Sequence, residues 1–264
     1  MTTRPVALSI AGSDPTGGAG LQLDVQVFQS CGVHGAAVPT ALTIQDTTKV
    51  HQVLPAFPSV VLEQLRVLVA DLPPHAVKLG MLASDDVLRS VDLVVSALPP
   101  EIPLVIDPIL RASDGTELLE RRAWPGLIGL FPRAILVTPN RPEAAALTGL
   151  EVESRKQAEG AARCLIEELG ARAVLLKGGH AEGPADDCLA LGNEGRTELR
   201  WLAGERLDMG PVHGTGCALS AAITAELALG RPLDEAVDSG RRFVREAIGR
   251  SFHAGAGAHL LGLP

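Results

Sequence analysis

The sequence predicts a doubly wound α/β fold with a mostly parallel central sheet. Short runs that are apolar on both faces recur along the 264 residues, and helical patterns separate several of them. Strands buried on both sides of a parallel sheet read as such unbroken runs, whereas half-exposed strands alternate. Alternation of the two patterns is what a sheet with crossover helices requires. No repeat, low-complexity tract or linker interrupts the chain, so residues 1–264 are expected to form one domain.

The elements follow in order. Residues 6–10 form the first expected strand; a glycine-rich loop and a helix over 18–31 come next. Strand 36–42, helix 59–72, strand 76–79, helix 85–98 and strand 104–106 continue the alternation. Strands over 134–137 and 173–176 bracket a helix over 155–169. Residues 187–191 and 197–202 read as an antiparallel pair at the late edge, joined across 192–195. Two helices close the series, 215–229 and 233–249, split by Gly230-Arg231-Pro232. The first is apolar nearly all round and is expected to be buried.

Composition narrows the function classes. Hydrophobic residues make up 46% and charged residues 20%, which excludes a disordered chain. The net charge of −8 argues against nucleic-acid or anionic-membrane binding. With 3% aromatics and no tyrosine, few rings exist for stacking on single strands. Four cysteines without C-x-x-C spacing, and His180 and His213 outside any zinc pattern, suit a reduced, cytoplasmic protein. Residues 1–5 carry no signal-peptide features, and no apolar run approaches 18 residues, so no membrane span is expected.

In sheets of this kind ligands collect beyond the carboxyl ends of the strands, and there the informative residues fall. After the first strand comes Gly12-Ser13-Asp14-Pro15-Thr16-Gly17-Gly18-Ala19-Gly20. Gly12 and Gly17 have P-loop spacing, but Gly18-Ala19 replaces the lysine and hydroxyl, and no G-x-G-x-x-G occurs. Two readings stay open: a plain strand-to-helix turn, or a loop that lets a small substrate approach the backbone. Asp24 falls inside the apolar arc of the helix that follows, where a carboxylate needs a hydrogen-bonding partner. Either it caps loop amides or it contacts a ligand. Gln45 stands in the polar cluster Thr43-Ile44-Gln45-Asp46-Thr47; its amide both donates and accepts, as a heterocycle requires, or is simply solvated.

His213-Gly214-Thr215-Gly216-Cys217 opens the apolar helix over 215–229. Glycines there let successive amides converge on an anion, with the helix dipole adding to the field. Cys217 would lie in the first turn, where thiol pKa values fall, and a thiolate could take the proton of an attacking alcohol. The competing reading is a small residue chosen for close packing, which Ala218, Ala221 and Ala222 support. Asp107 ends a buried strand. Asn140 and Glu143 have capping-box spacing, and Asp107 and Glu143 could also hold magnesium, directly or through water. Lys177, before Gly178 and Gly179, is the best candidate for a nucleotide phosphate contact.

Seven stretches, 11–24, 41–47 (ALTIQDT), 78–82 (KLGML), 105–108, 138–144 (TPNRPEA), 176–180 (LKGGH) and 213–223 (HGTGCALSAAI), occur in this order. In that arrangement the chain resembles the hydroxymethylpyrimidine/phosphomethylpyrimidine kinases of thiamin biosynthesis, within the ribokinase-like superfamily. The resemblance implies a three-layer α/β/α fold, ATP and Mg2+ as cofactors, and a small-molecule pyrimidine as acceptor, with a homodimer as the common assembly. It implies that Gly12, Asp24, Gln45, Met81 and Ile109 surround the pyrimidine. Asn140, Glu143, Lys177 and Gly179 would face ATP, Gly214, Thr215 and Gly216 would form the anion-stabilising turn, and Cys217 would be the base. Three stretches depart from the family pattern: Arg111 to Gly115, Pro211-Val212 before the histidine, and Ala254 to His259.

Overall fold

The structure is a computed structural model that describes residues 4–179, 185–193 and 195–264. His180, the end of one motif, and part of the turn expected at 192–195 lie outside the described residues. The strands are β1 (Val6–Ser13), β2 (His34–Gln45), β3 (Val50–Pro55), β4 (Ala76–Leu79), β5 (Leu104–Ile106), β6 (Leu136–Val137), β7 (Ala173–Leu176), β8 (Asp187–Asn193) and β9 (Arg196–Leu202). They form one sheet in the order β3-β2-β1-β4-β5-β6-β7-β8-β9. The run from β2 to β7 is parallel. β3 at one edge and β8 and β9 at the other pair antiparallel.

Helices cover both faces. One apolar layer joins the sheet to α2 (Pro58–Asp71), α3 (Asp85–Val95), α4 (Trp124–Gly129), α5 (Arg141–Thr148) and α6 (Arg155–Glu167). The other holds α1 (Gly20–Ser30), α7 (Thr215–Ala228) and α8 (Leu233–Gly249). Strand pleating divides side chains between them: Val6, Leu8 and Ile10 of β1 face the first layer and Ala7 the second. This is the expected three-layer α/β/α architecture, and α7 is buried from Ala218 through Ala228 as its composition requires.

The differences lie at the edges. β2 continues past residue 42 to Gln45, and β3, which the sequence reading missed, pairs with that extension through Leu42–Leu54 and Thr43–Val53. Beyond the parallel core this ribbon is solvated, and Val50–Pro55 lacks both the apolar run that marks a central strand and a regular alternation. The short helices α4 and α5 were also missed. α5 starts on the Asn140–Glu143 capping box, so the box is real and stabilises the helix.

The chain leaves β1 for β2 on one side and returns to β4 on the other. This reversal opens a crevice at the carboxyl ends of β1 and β4, where α/β sheets place ligands.

Candidate active site

A cleft of about 990 Å³ lies at that edge. Gly12 lies near the end of β1 there, and a Cβ on it would press on Met81, 2.7 Å from its sulfur. Met81 and Ile109 follow β4 and β5, and Gln45 reaches in from β2. On the other side stand Asn140, Glu143, Lys177 and Gly179, and between the two groups Gly214, Thr215, Gly216 and Cys217 open α7. Of the expected site residues, only Asp24 is missing from the lining.

Asp24 is completely buried. Its Oδ1 accepts a hydrogen bond from Lys78 Nζ, and its Oδ2 accepts one from Ser9 Oγ at 2.6 Å. A buried ammonium and a hydroxyl, rather than the loop amides, satisfy this carboxylate. Burial works against the Lys78 charge, but the Asp24 carboxylate outweighs it and holds the ammonium above its ordinary range. Lys78, missed as a functional residue, lies under the cleft floor. The signal was a lysine inside a four-residue strand with every residue buried.

Lys177 makes a second such pair. Its Nζ donates to Asp107 Oδ1 at 2.8 Å, which also accepts from Thr138 Oγ1 at 3.2 Å. Ser220 Oγ donates to Asp107 Oδ2 at 3.2 Å, so both oxygens are engaged. Burial opposes the Asp107 charge, yet Lys177 and Lys78 hold its carboxyl below the usual range. A Cβ at Gly216 would lie 3.1 Å from Lys177 Nζ, so glycine lets the lysine stand against the start of α7.

Gly214 has φ 77°, and a Cβ there would meet the Gly18 carbonyl oxygen at 1.9 Å. The left-handed turn therefore packs directly on the first glycine loop. Beside it His213 Nε2 lies 2.9 Å from Asp14 Oδ2 and 3.2 Å from Gln45 Nε2, tying that loop to the end of β2.

Cys217 differs from expectation in one respect. Burial pushes its thiol up to about 11; Lys78 opposes this, and Asp107 and Asp24 add to it. The helix start and the Gly20 amide, which donates to the sulfur, do not overcome burial between two carboxylates.

The fit to a divalent ion is specific. Asp107 Oδ1 already accepts from Lys177 and Thr138 and its Oδ2 from Ser220, so of the two expected carboxylates it is the more fully engaged. Glu143 uses Oε2 to accept from the Asn140 amide at 2.7 Å, leaving Oε1. No cluster of three or more candidate ligand side chains occurs among the described residues. These donors suit magnesium held chiefly by phosphate oxygens and water, with one carboxylate beside it.

Burial pushes the Glu143 carboxyl up to about 7, with Lys177 opposing and Asp107 adding to the shift. Since the ordinary value is 4.5, the folded protein keeps a proton that the unfolded chain releases between about pH 4.5 and 7. Stability therefore falls as pH rises through that window. Glu143→Gln keeps an acceptor for the cap and lacks this loss. Thermal unfolding of the unliganded variant is expected to show a gain on the order of 2–3 kcal/mol at pH 8 and little at pH 4.5; equal curves at pH 8 would refute the buried charge.

Two further residues went unseen in the sequence. Arg241 Nε donates to Asp187 Oδ2 at 2.8 Å, and its Nη2 donates to the carbonyls of Leu202 and Ala203 at 2.9 Å each. Asp187 Oδ1 accepts from the Gly178 amide at 2.8 Å. α8 thus holds the turn that follows Lys177. Of the departing stretches, Arg111 and Val212 line the cleft, while residues 254–256 and Thr47 line a separate hollow of about 490 Å³.

A parallel sheet whose carboxyl edge brings two carboxylate-paired lysines to a glycine-rich helix start defines a kinase of ribokinase-like build. The phosphomethylpyrimidine kinase family model matches residues 14–261, and the chain belongs to that family. The hydroxymethylpyrimidine/phosphomethylpyrimidine kinase of Staphylococcus aureus is 41% identical over 246 residues, spanning 92% of this chain and 87% of that protein. The crystal structure of phosphomethylpyrimidine kinase from Clostridium difficile 630 superimposes with TM-score 0.78 at 34% identity, covering 93% of this chain and 100% of the other. The ADP complex of Bacillus subtilis pyridoxal kinase gives TM-score 0.86 at 31% identity over 98% and 97% of the two chains. No helix among the described residues is long and apolar enough to cross a membrane.

Proposed function

We propose that the protein transfers the γ-phosphoryl group of ATP to 4-amino-5-hydroxymethyl-2-methylpyrimidine, and then to its monophosphate, in thiamin biosynthesis. One observation carries the reading. A single cleft joins Gly12, Gln45, Met81 and Ile109, which suit a small heterocycle, to Asn140, Lys177 and Gly179, which suit a nucleotide, with the amides of 214–217 between them.

In this reading the Gly214, Thr215 and Gly216 amides meet the negative charge that develops on the transferring group, as preorganised donors do. Lys177 trades part of its contact with Asp107 for phosphate. Gln45 orients the ring, and Met81 and Ile109 exclude water around it. The thiolate form of Cys217 accepts the alcohol proton late, as suits a loose transition state in which positioning and charge stabilisation do most of the work. Glu143 would stand beside a bound magnesium ion, which would neutralise charge on the phosphates. Asp24 acts at one remove, through Lys78.

Mass spectrometry of products after incubation with ATP, magnesium and the pyrimidine alcohol tests the reading: one or two added phosphates are expected. The fit to pyridoxal kinase, at TM-score 0.86, motivates a second acceptor, so pyridoxal belongs in the same assay. Phosphorylation of pyridoxal alone would replace the pyrimidine reading. Binding without turnover would make the protein a non-catalytic relative.

Arg241→Met is expected to raise KM for ATP about tenfold, roughly the 1.4 kcal/mol of one misplaced contact, with kcat and the acceptor KM within about threefold. A parallel fall in kcat with unchanged KM for ATP would remove Arg241 from nucleotide positioning. The proposal includes the cytoplasm as location and a homodimer as assembly. The exposed Leu42, Leu54 and Phe57 at the β3 edge suit a second copy, and sedimentation measures it.

A further inference from the structure

The stretch from Ala254 to His259 departs from the family pattern and has no part in the chemistry above, yet its backbone is closely engaged. The Gly257 amide donates to Thr47 Oγ1 at 3.1 Å, and the Ala258 amide donates to the Thr47 carbonyl at 3.0 Å. The His259 amide donates to the Pro211 carbonyl, and the His213 amide donates to the His259 carbonyl, both at 2.9 Å. The contact with Thr47 leaves no space: a Cβ on Gly257 would lie 1.8 Å from the Thr47 carbonyl oxygen, and one on Gly255 2.4 Å from its Oγ1.

Thr47 is two residues beyond Gln45, in a turn that Asp46 makes stiff. Asp46 Oδ1 accepts from the amides of Thr48 at 2.8 Å and Lys49 at 3.1 Å. The Gln45 side chain in turn meets His213 at 3.2 Å. The contacts therefore close a ring: the 255–259 segment to Thr47, Thr47 through its turn to Gln45, Gln45 to His213, and His213 back to His259.

We propose that residues 255–259 are a positioning strap that couples the acceptor-binding residue Gln45 to the anion turn at Gly214, with Gly257 and Thr47 carrying the coupling. The strap touches no reacting atom; it holds the two groups in register so that an acceptor seated against Gln45 finds the amides already aimed. Its kinetic consequences rest on the function proposed above.

Gly257→Ala forces the Thr47 turn outward. The acceptor KM is expected to rise tenfold or more, while KM for ATP stays within twofold, because the nucleotide side of the cleft is not on the ring. Thr47→Val, which removes only the hydroxyl acceptor, gives a smaller rise, and Thr47→Ser restores the wild-type value. Thr47→Val also carries the test if Gly257→Ala does not fold. An equal change in both KM values, or none in the acceptor KM, overturns the proposal. Hydrogen exchange provides a readout without turnover: in Gly257→Ala, exchange rises together over 43–49 and 211–216 and stays unchanged in β4 and β5. A rise in only one segment overturns the coupling. Wild-type enzyme that phosphorylates no alcohol sinks the function and leaves the exchange test of the strap standing.

Discussion

Cys217→Ala lowers kcat by about 10²–10⁴, the usual worth of a positioned general base, and leaves KM for ATP nearly unchanged. The side chain stands in the first turn of α7 beside the Gly214–Gly216 amides, with the Gly20 amide donating to its sulfur. Burial keeps the thiol protonated at neutral pH, since its pKa is pushed up to about 11. The thiolate share then grows about tenfold per pH unit below that value. The wild-type rate accordingly climbs from pH 7 to 9, and the alanine variant lacks this limb. Pre-steady-state rates over that range check both points. A near-wild-type rate in the alanine variant, or an alkaline limb that survives in it, takes Cys217 out of the base role. Folding should hardly notice the change, because the methyl group of alanine still fills most of the site.

Gly214→Ala is expected to lose about 10²–10³ in kcat, the cost of displacing one preorganised donor, and to lower the melting temperature as well. Two independent penalties combine. The left-handed conformation at φ 77° costs an ordinary residue about 1–2 kcal/mol. The new methyl would also stand 1.9 Å from the Gly18 carbonyl oxygen and 2.7 Å from Leu23 Cδ2, so α7 must move away from the first glycine loop. Each kcal/mol lowers the midpoint by about 2–4 °C in a domain of this size. Calorimetry and steady-state kinetics on one preparation separate the two. An alanine variant with wild-type kcat would show that the amides of this turn are not aimed at the transferring group.

The central strands and the long helices were legible because burial on both faces writes an unambiguous pattern. β3 and the last three residues of β2 were not, since Val50–Pro55 has neither a sustained apolar run nor regular alternation and reads as loop. The glycine-rich stretches and Cys217 were visible as motifs, but the protonation of Cys217 was not. The local rule for helix starts favours a thiolate, and only the fold brings Asp24 and Asp107 close enough to work with burial against it. Asp24 and Lys78 were each visible as a charge in an apolar setting. Their pairing across 54 residues required the sheet, which places β4 beside β1 and α1 over both. Arg241 had no local mark, because its partners come from β8 and the end of β9.

Two lysines bracket the start of α7, the buried Lys78 beneath Gly80 and the half-buried Lys177 against Gly216, and each already owns an aspartate. The cradle is thus close to electroneutral, although the chain as a whole is acidic. An arriving anion gains little from long-range attraction and must compete with a resident carboxylate for its counterion. Such a site selects by exchange: it discriminates against a bare oxyanion and favours a polyphosphate that brings its own metal.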